Sequence, residues 1–186
     1  MYILAVVGSP RLDGNTNYLV DQALHEATKL GARTEKIIVS EHRLSPCLGH
    51  INCRELDSCV QQDDGTLLLD KFCEANGVIL ATPVYYYDVS AWMKIFIDRN
   101  YFLGRHGKKC QAKTVGIIVV AGSAGIEDTV QTLNRFVNSS SFNNIAGDKR
   151  FVVTGCASGP GDVKSNQRLI REARDMGRQL VVSLKE

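Results

Sequence analysis

Residues 2–17 read YILAVVGSPRLDGNTN: six consecutive apolar residues, a glycine, then small, polar and hydroxyl-bearing residues that open a helical pattern. Six apolar residues without polar alternation predict a strand covered on both faces, as in a parallel sheet. The same rhythm continues outward along the chain. Apolar runs at Arg33–Val39, Gly77–Thr82, Thr114–Ala121 and Arg150–Thr154 alternate with helical periodicity at Asn15–Leu30, Gly65–Ala75, Ser90–Asn100, Ile126–Asn138 and Asp162–Leu184. Alternation of this kind specifies βαβ units, and hence an α/β domain with five parallel strands and helices on both faces.

With 186 residues, 44% hydrophobic and 23% charged, the chain has the proportions of one domain spanning 1–186. Twenty-two Lys and Arg against 20 Asp and Glu leave a formal +2, too balanced for a nucleic-acid or anionic membrane partner. No apolar run reaches the roughly 18 residues of a membrane span. Met1–Val7 lacks the basic flank of a secretory signal, so the expectation is a cytoplasmic protein. Its six cysteines are then free thiols or metal ligands.

Four strands end in small or turn residues: Gly8-Ser9-Pro10, Thr82-Pro83, Gly122-Ser123-Ala124-Gly125 and the stretch from Gly155 to Gly161. The carboxyl ends of parallel strands form the binding crevice of such sheets, and glycines there admit a ligand to the backbone. The loop after the first strand supplies hydroxyls (Ser9, Thr16), amides (Asn15, Asn17), the Arg11 guanidinium and a helix N-terminus. One phosphomonoester suits that inventory. A Walker A loop and a dinucleotide fingerprint are both spelled differently, and a phosphatase would need a cysteine here. A plain N-cap at Asn15 or Thr16 is the competing reading.

GSPRLDGNT together with ATPVYYYDVSAWMKIFIDR resembles the NADPH-dependent FMN reductase family of flavodoxin-like proteins, in order over about residues 1–184. The resemblance implies a three-layer sandwich with strand order 2-1-3-4-5. It also implies an FMN phosphate held by Ser9, Arg11, Gly14, Asn15, Thr16 and Asn17. The loop from Pro83 through Val84, Tyr85, Tyr86, Tyr87 and Asp88 would line the flavin ring, with Gly122 and Ser123 covering its other end. Flat apolar cover and backbone groups are what such a ring requires, and the cofactor carries the hydride chemistry itself, so no catalytic side chain is expected.

Ser40–Asp64 interrupts the βα rhythm with the spacing C-x2-H-x2-C-x5-C at Cys47, His50, Cys53 and Cys59. It resembles the iron-sulfur flavoprotein branch of the family, with His50 where a second cluster cysteine would stand. Three readings stay open: a [4Fe-4S] cluster with one imidazole ligand, a Cys3His zinc site, or no metal. Cys73, Cys110 and Cys156 read as isolated buried thiols. The basic loop at Arg105, Lys108 and Lys109 either steers a nicotinamide dinucleotide or is simply solvated.

The expected activity is an FMN-dependent oxidoreductase passing electrons from NAD(P)H, or from a protein donor, to an unidentified acceptor. The alternative is a non-catalytic flavin/iron-sulfur carrier between protein partners; a third reading is a metal-binding redox sensor. A homodimer or homotetramer is implied by resemblance.

Overall fold

The computed structural model describes residues 1–139, 141–143 and 145–186. The chain runs β1 (Tyr2–Val7), α1 (Asn15–Lys29), β2 (Arg33–Ile38), α2 (Gly65–Glu74), β3 (Gly77–Tyr85) and β4 (Asp88–Val89). It continues through α3 (Ala91–Arg99), α4 (Tyr101–Arg105), β5 (Thr114–Ala121), α5 (Ile126–Val137), β6 (Arg150–Cys156) and α6 (Gln167–Ser183).

The two strands with the longest uninterrupted apolar runs, β1 and β5, are buried at every position. They lie inside the sheet, whose order is β2-β1-β3-β5-β6 with every long pair parallel. The five long strands therefore follow the expected topology. Charged residues in β2 and polar ones in β6 suit the two edges, where one side faces no neighbour.

Each face of the sheet buries its own layer. On one, Phe72 of α2 sits edge-on to Phe96 of α3 at 5.2 Å and to Phe142 at 5.5 Å, and stacks on Phe136 of α5 at 6.1 Å. On the other, Leu19, Val20 and Ala23 of α1 meet Leu169, Ala173 and Met176 of α6. Aromatic pairs of this geometry add specificity to burial, so α2, α3 and α5 are fixed relative to one another. Among the described residues no helix is long and apolar enough to cross a membrane.

Several elements depart from the sequence expectation. The third strand continues past Thr82 to Tyr85 and turns back through the antiparallel β4. The helix expected to reach Asn100 ends at Arg99, and α4 follows directly. The last helix starts at Gln167, because the Asn166 side chain accepts from Leu169 N at 3.2 Å and caps it there; residues 162–165 form a 3-10 turn instead.

The two-residue turn between β3 and β4 carries Tyr86 at φ 48° and Tyr87 at φ 66°. Positive φ at both central positions is what a type I′ hairpin demands, and Asn-Gly is the usual way to satisfy it. Two tyrosines there hold backbone strain, on the order of 1–2 kcal/mol per residue. Tyr86 recovers nothing by burial, being 100% exposed. Replacing Tyr86 by Asn and Tyr87 by Gly should therefore raise stability by roughly 1–2 kcal/mol in urea denaturation; a loss of stability would show that the tyrosines contribute more to the fold than the strain removes.

Candidate functional site

The first loop, the β3–β4 segment and α3 meet at one residue. Ser90, fully buried, donates from Oγ to Gly8 O at 2.6 Å, donates from its backbone N to Thr82 Oγ1 at 3.0 Å, and accepts from Met93 N at 3.2 Å as the N-cap of α3. A Cβ on Gly8 would lie 2.6 Å from Met93 Cβ and 2.8 Å from Ser90 Oγ, so only glycine lets the loop approach this helix.

Above that joint, at the carboxyl end of the sheet, a cleft of about 220 Å³ opens. Ser9, Arg11, Gly14, Asn15 and Thr16 form one wall, and Pro83, Val84 and Tyr85 another; Gly122 stands at the far end. Ser9 and Thr16 are buried, Arg11 is exposed, and Gly14 caps α1 without any side-chain hydrogen bond or first-turn acid. An uncapped N-terminus of a fifteen-residue helix leaves amide donors and the positive dipole end facing the cleft.

Some expected site residues do other work. Asn15 lines the cleft, but its Nδ2 donates to Gly159 O at 2.9 Å and its Oδ1 accepts from Val163 N at 3.3 Å, so its amide holds the β6–α6 loop in place. Asn17 lies behind the loop, donating from Nδ2 to Arg11 O at 2.8 Å. Tyr86, Tyr87, Asp88 and Ser123 stand outside the cleft's lining. Val120 and Ala121 at the end of β5 also belong to it, as do Ala157, Ser158 and Pro160 of the Gly155–Gly161 run that the sequence marks as crevice without naming them as site residues. Ser158 Oγ donates to Gly122 O at 3.2 Å, joining the loops after β5 and β6. The one signal for these residues was the small-residue run closing each strand.

The cysteine segment is fastened to the other end of α3. Arg99, 2% exposed, donates to both Asp63 oxygens at 2.5 and 3.0 Å and to Ser45 O at 3.0 Å. Its Nη2 is 3.5 Å from Cys59 Sγ. Asp63 also accepts from Ser45 N and Gly65 N at 3.0 and 2.9 Å. Burial alone would push the Asp63 carboxyl up, but the Arg99 and backbone hydrogen bonds outweigh it and hold the group below the usual carboxylate range. His106 of the following loop bridges Phe102 O and Leu56 O at 2.8 Å each, a second tie to the same segment.

Cys47, His50, Cys53 and Cys59 line one small cavity of about 20 Å³ beside Arg99. Elsewhere, Cys110 is buried, its thiol pushed up to about 12 by burial, and donates to Phe72 O at 3.1 Å. Cys73 is half-buried and shifted the same way. The sequence expects Cys156 to be buried; it is exposed, since it ends β6, an edge strand.

Residues 1–152 match the NADPH-dependent FMN reductase family. The whole chain aligns with an iron-sulfur flavoprotein of Methanocaldococcus jannaschii at 35% identity over 191 residues, covering 98% of that protein. An FMN-dependent NADH-azoreductase of Bacillus anthracis, in complex with FMN, is similar in structure with a TM-score of 0.74 at 12% identity, covering 97% of this chain and all of the azoreductase. A flavodoxin from the domain Archaea gives 0.63, also at 12% identity, with complete coverage of both chains. At such identities the likeness is one of fold, which is flavodoxin-like.

The cleft suits a phosphate ester with a flat ring: hydroxyls, a guanidinium and an uncapped helix end lie at one side, and proline, valine and tyrosine at the other. The cysteine segment does not suit a [4Fe-4S] cluster as it is arranged. Among the described residues no three His, Cys, Asp or Glu side chains are grouped to hold a metal ion. The shared cavity is about the volume of a single water molecule, and one donor is an imidazole.

Removing the carboxylate from the Arg99 clasp strands a buried cation, so Asp63→Asn should cost about 3 kcal/mol at pH 7. Because the folded-state carboxyl is held low, that advantage of the native residue is full above about pH 4 and fades as the pH falls through the lowered folded-state value. Urea denaturation of both proteins at pH 7 and pH 3 checks this; an equal difference at both would contradict it.

Proposed function

Since the chain belongs to the NADPH-dependent FMN reductase family, we propose that it binds FMN at the carboxyl end of the sheet and acts as an oxidoreductase that takes electrons from NAD(P)H and delivers them to a second acceptor. The observation that carries this reading is one cleft in which Ser9, Arg11, Gly14 and Thr16 face Pro83, Val84 and Tyr85.

Bound FMN would supply reversible hydride acceptance. The chain's own residues bind and orient. Ser9 and Thr16 donate hydroxyl hydrogen bonds to the phosphate, Arg11 contributes charge, and the N-terminus of α1 adds amide donors. Asn15 and Asn17 act one step back, keeping the β6–α6 loop and the Arg11 carbonyl where the cleft needs them. Pro83, Val84 and Tyr85 give a stiff apolar wall for the ring, and the loop at Gly122 and Ser123 lies at the ring's opposite end. The cleft is smaller than a typical ligand pocket of ~300–1,000 Å³, which suits a phosphate and its chain enclosed with the ring lying more openly above. An open ring face lets donor and acceptor use the same surface in turn.

A homo-oligomer is part of the same proposal. Tyr86 and Tyr87, on the turn that follows the Tyr85 wall of the cleft, are 100% and 64% exposed, and exposed aromatic side chains next to a site favour cover by a second copy.

Purified protein should be yellow and oxidise NADPH or NADH in steady state with an artificial acceptor such as ferricyanide. The Ser9→Ala/Thr16→Ala protein should bind FMN at least tenfold more weakly with its fold intact by circular dichroism. Flavin bound but no turnover with either nucleotide would instead support an electron carrier, and unchanged flavin affinity in the variant would refute the phosphate assignment.

A further inference from the structure

The segment between β2 and α2 closes on itself at a neck. Asp64 N donates to Arg43 O at 2.9 Å, and Arg43 N donates back to Asp64 Oδ2 at 2.8 Å. Further out, Ser45 N donates to Asp63 Oδ2 at 3.0 Å and Gln61 Nε2 to Pro46 O at 3.2 Å. The two lengths of chain therefore run antiparallel, with 43 beside 64 and 46 beside 61. One more step in that register sets Cys47 beside Val60, and so next to Cys59. Arg99 spans the same place, since Nη1 donates to Ser45 O at 3.0 Å while Nη2 is 3.5 Å from Cys59 Sγ.

The shared cavity is an independent sign of the same proximity. Cys47 and Cys59 both line it, and its volume of about 20 Å³ is that of roughly one water molecule, so little has to move for two of its sulfurs to meet. Each of the two sulfurs takes an N–H donor that fixes its place: Gly49 N lies 3.5 Å from Cys47 Sγ, and Arg99 holds Cys59. Cys47 is exposed and Cys59 half-buried, so a small reagent can reach the pair. The remaining thiols differ. Burial keeps Cys110 and Cys73 protonated, and only thiolates exchange; Cys156 ends β6 and lines no part of this cavity.

We propose that Cys47 and Cys59 form a reversible disulfide across this neck by exchange with a low-molecular-weight disulfide such as oxidised glutathione, and that the segment is a dithiol site rather than the seat of a cluster. The Cys47 thiolate attacks one sulfur of the small disulfide and releases one thiol; Cys59, as thiolate, then attacks Cys47 Sγ and releases the second. Two protein thiols give up two electrons and two protons, and the small disulfide takes them up as two thiols. The product staples the two sides of a neck that Arg99 and Asp63 already hold together. Cys53 faces the same cavity from a 3-10 turn in the middle of the closed segment, and stays a free thiol. None of this depends on the function proposed above.

The test uses the full chain purified without oxygen, treated with oxidised glutathione, alkylated with iodoacetamide, digested with trypsin and mapped by mass spectrometry. Cleavage after Arg43, Arg54 and Lys71 leaves Cys47 and Cys53 on residues 44–54 and Cys59 on residues 55–71, so the disulfide appears as these two peptides joined. The joined pair is expected from the native protein and equally from the Cys53→Ser variant, with alkylation of Cys47 and Cys59 falling roughly tenfold or more and returning with dithiothreitol. The Cys59→Ser variant should stop at a glutathione adduct on Cys47. Loss of the joined peptides in Cys53→Ser would assign the bond to Cys53 and overturn the proposal, as would adducts on both cysteines without a cross-link. Bound iron or zinc in the purified protein that shields Cys47 and Cys59 from iodoacetamide would refute it as well.

Discussion

The hydrogen bonds of Ser90 hold the site together. A single buried hydroxyl receives the first turn of α3 and donates to the carbonyl of Gly8, while the same residue's backbone N–H is taken up by Thr82. The loop after β1 and the segment leaving β3 come from distant parts of the sequence, and their side chains form opposite walls of the cleft. Their separation is set by this joint and by the absence of a side chain at Gly8. A polar group buried at such a junction is well placed only when every partner is present, as here.

From that joint α3 runs nine residues, roughly 13 Å at 1.5 Å per residue, to Arg99. One end is fixed to the cleft and the other to the cysteine segment through Asp63, Ser45 and Cys59. The same helix and its successor α4 also border a wide groove lined by Lys94, Asp98, Tyr101 and Arg105. One rigid rod thus sets the distances between three parts of the molecule. The strained Tyr86–Tyr87 turn directly follows Tyr85 of the cleft wall, consistent with backbone strain collecting where geometry matters more than stability.

How much of this was legible in the sequence varied with the kind of physics involved. The continuous apolar runs of β1 and β5 announced buried parallel strands, and the small residues after each strand marked the crevice, because hydrophobic burial and turn chemistry leave local signatures. Residues 162–165 read as helix because Asp162–Leu184 keeps the period, yet Gly161 at φ 82° and the Asn166 cap decide otherwise. The β4 hairpin was invisible since Tyr-Tyr is not a turn sequence. Asn15 and Asn17 were correctly placed at the loop, but which way an amide turns depends on Gly159 and Arg11, set by tertiary packing. The Arg99–Asp63 clasp joins residues 36 apart and had no local pattern to betray it. The spacing of Cys47, His50, Cys53 and Cys59 did bring the four to one cavity, though not into a grouping that holds a metal ion.

We propose that the wall formed by Ser9, Arg11, Thr16 and the start of α1 recognises the phosphate of a flavin nucleotide. Its most direct test is to titrate flavin-free protein with FMN and, separately, with riboflavin, following flavin fluorescence. One FMN per chain is expected, with riboflavin binding roughly a hundredfold weaker, the loss expected when charge-assisted hydrogen bonds to a phosphate are removed. Equal affinity for the two, or no binding of FMN, would contradict it.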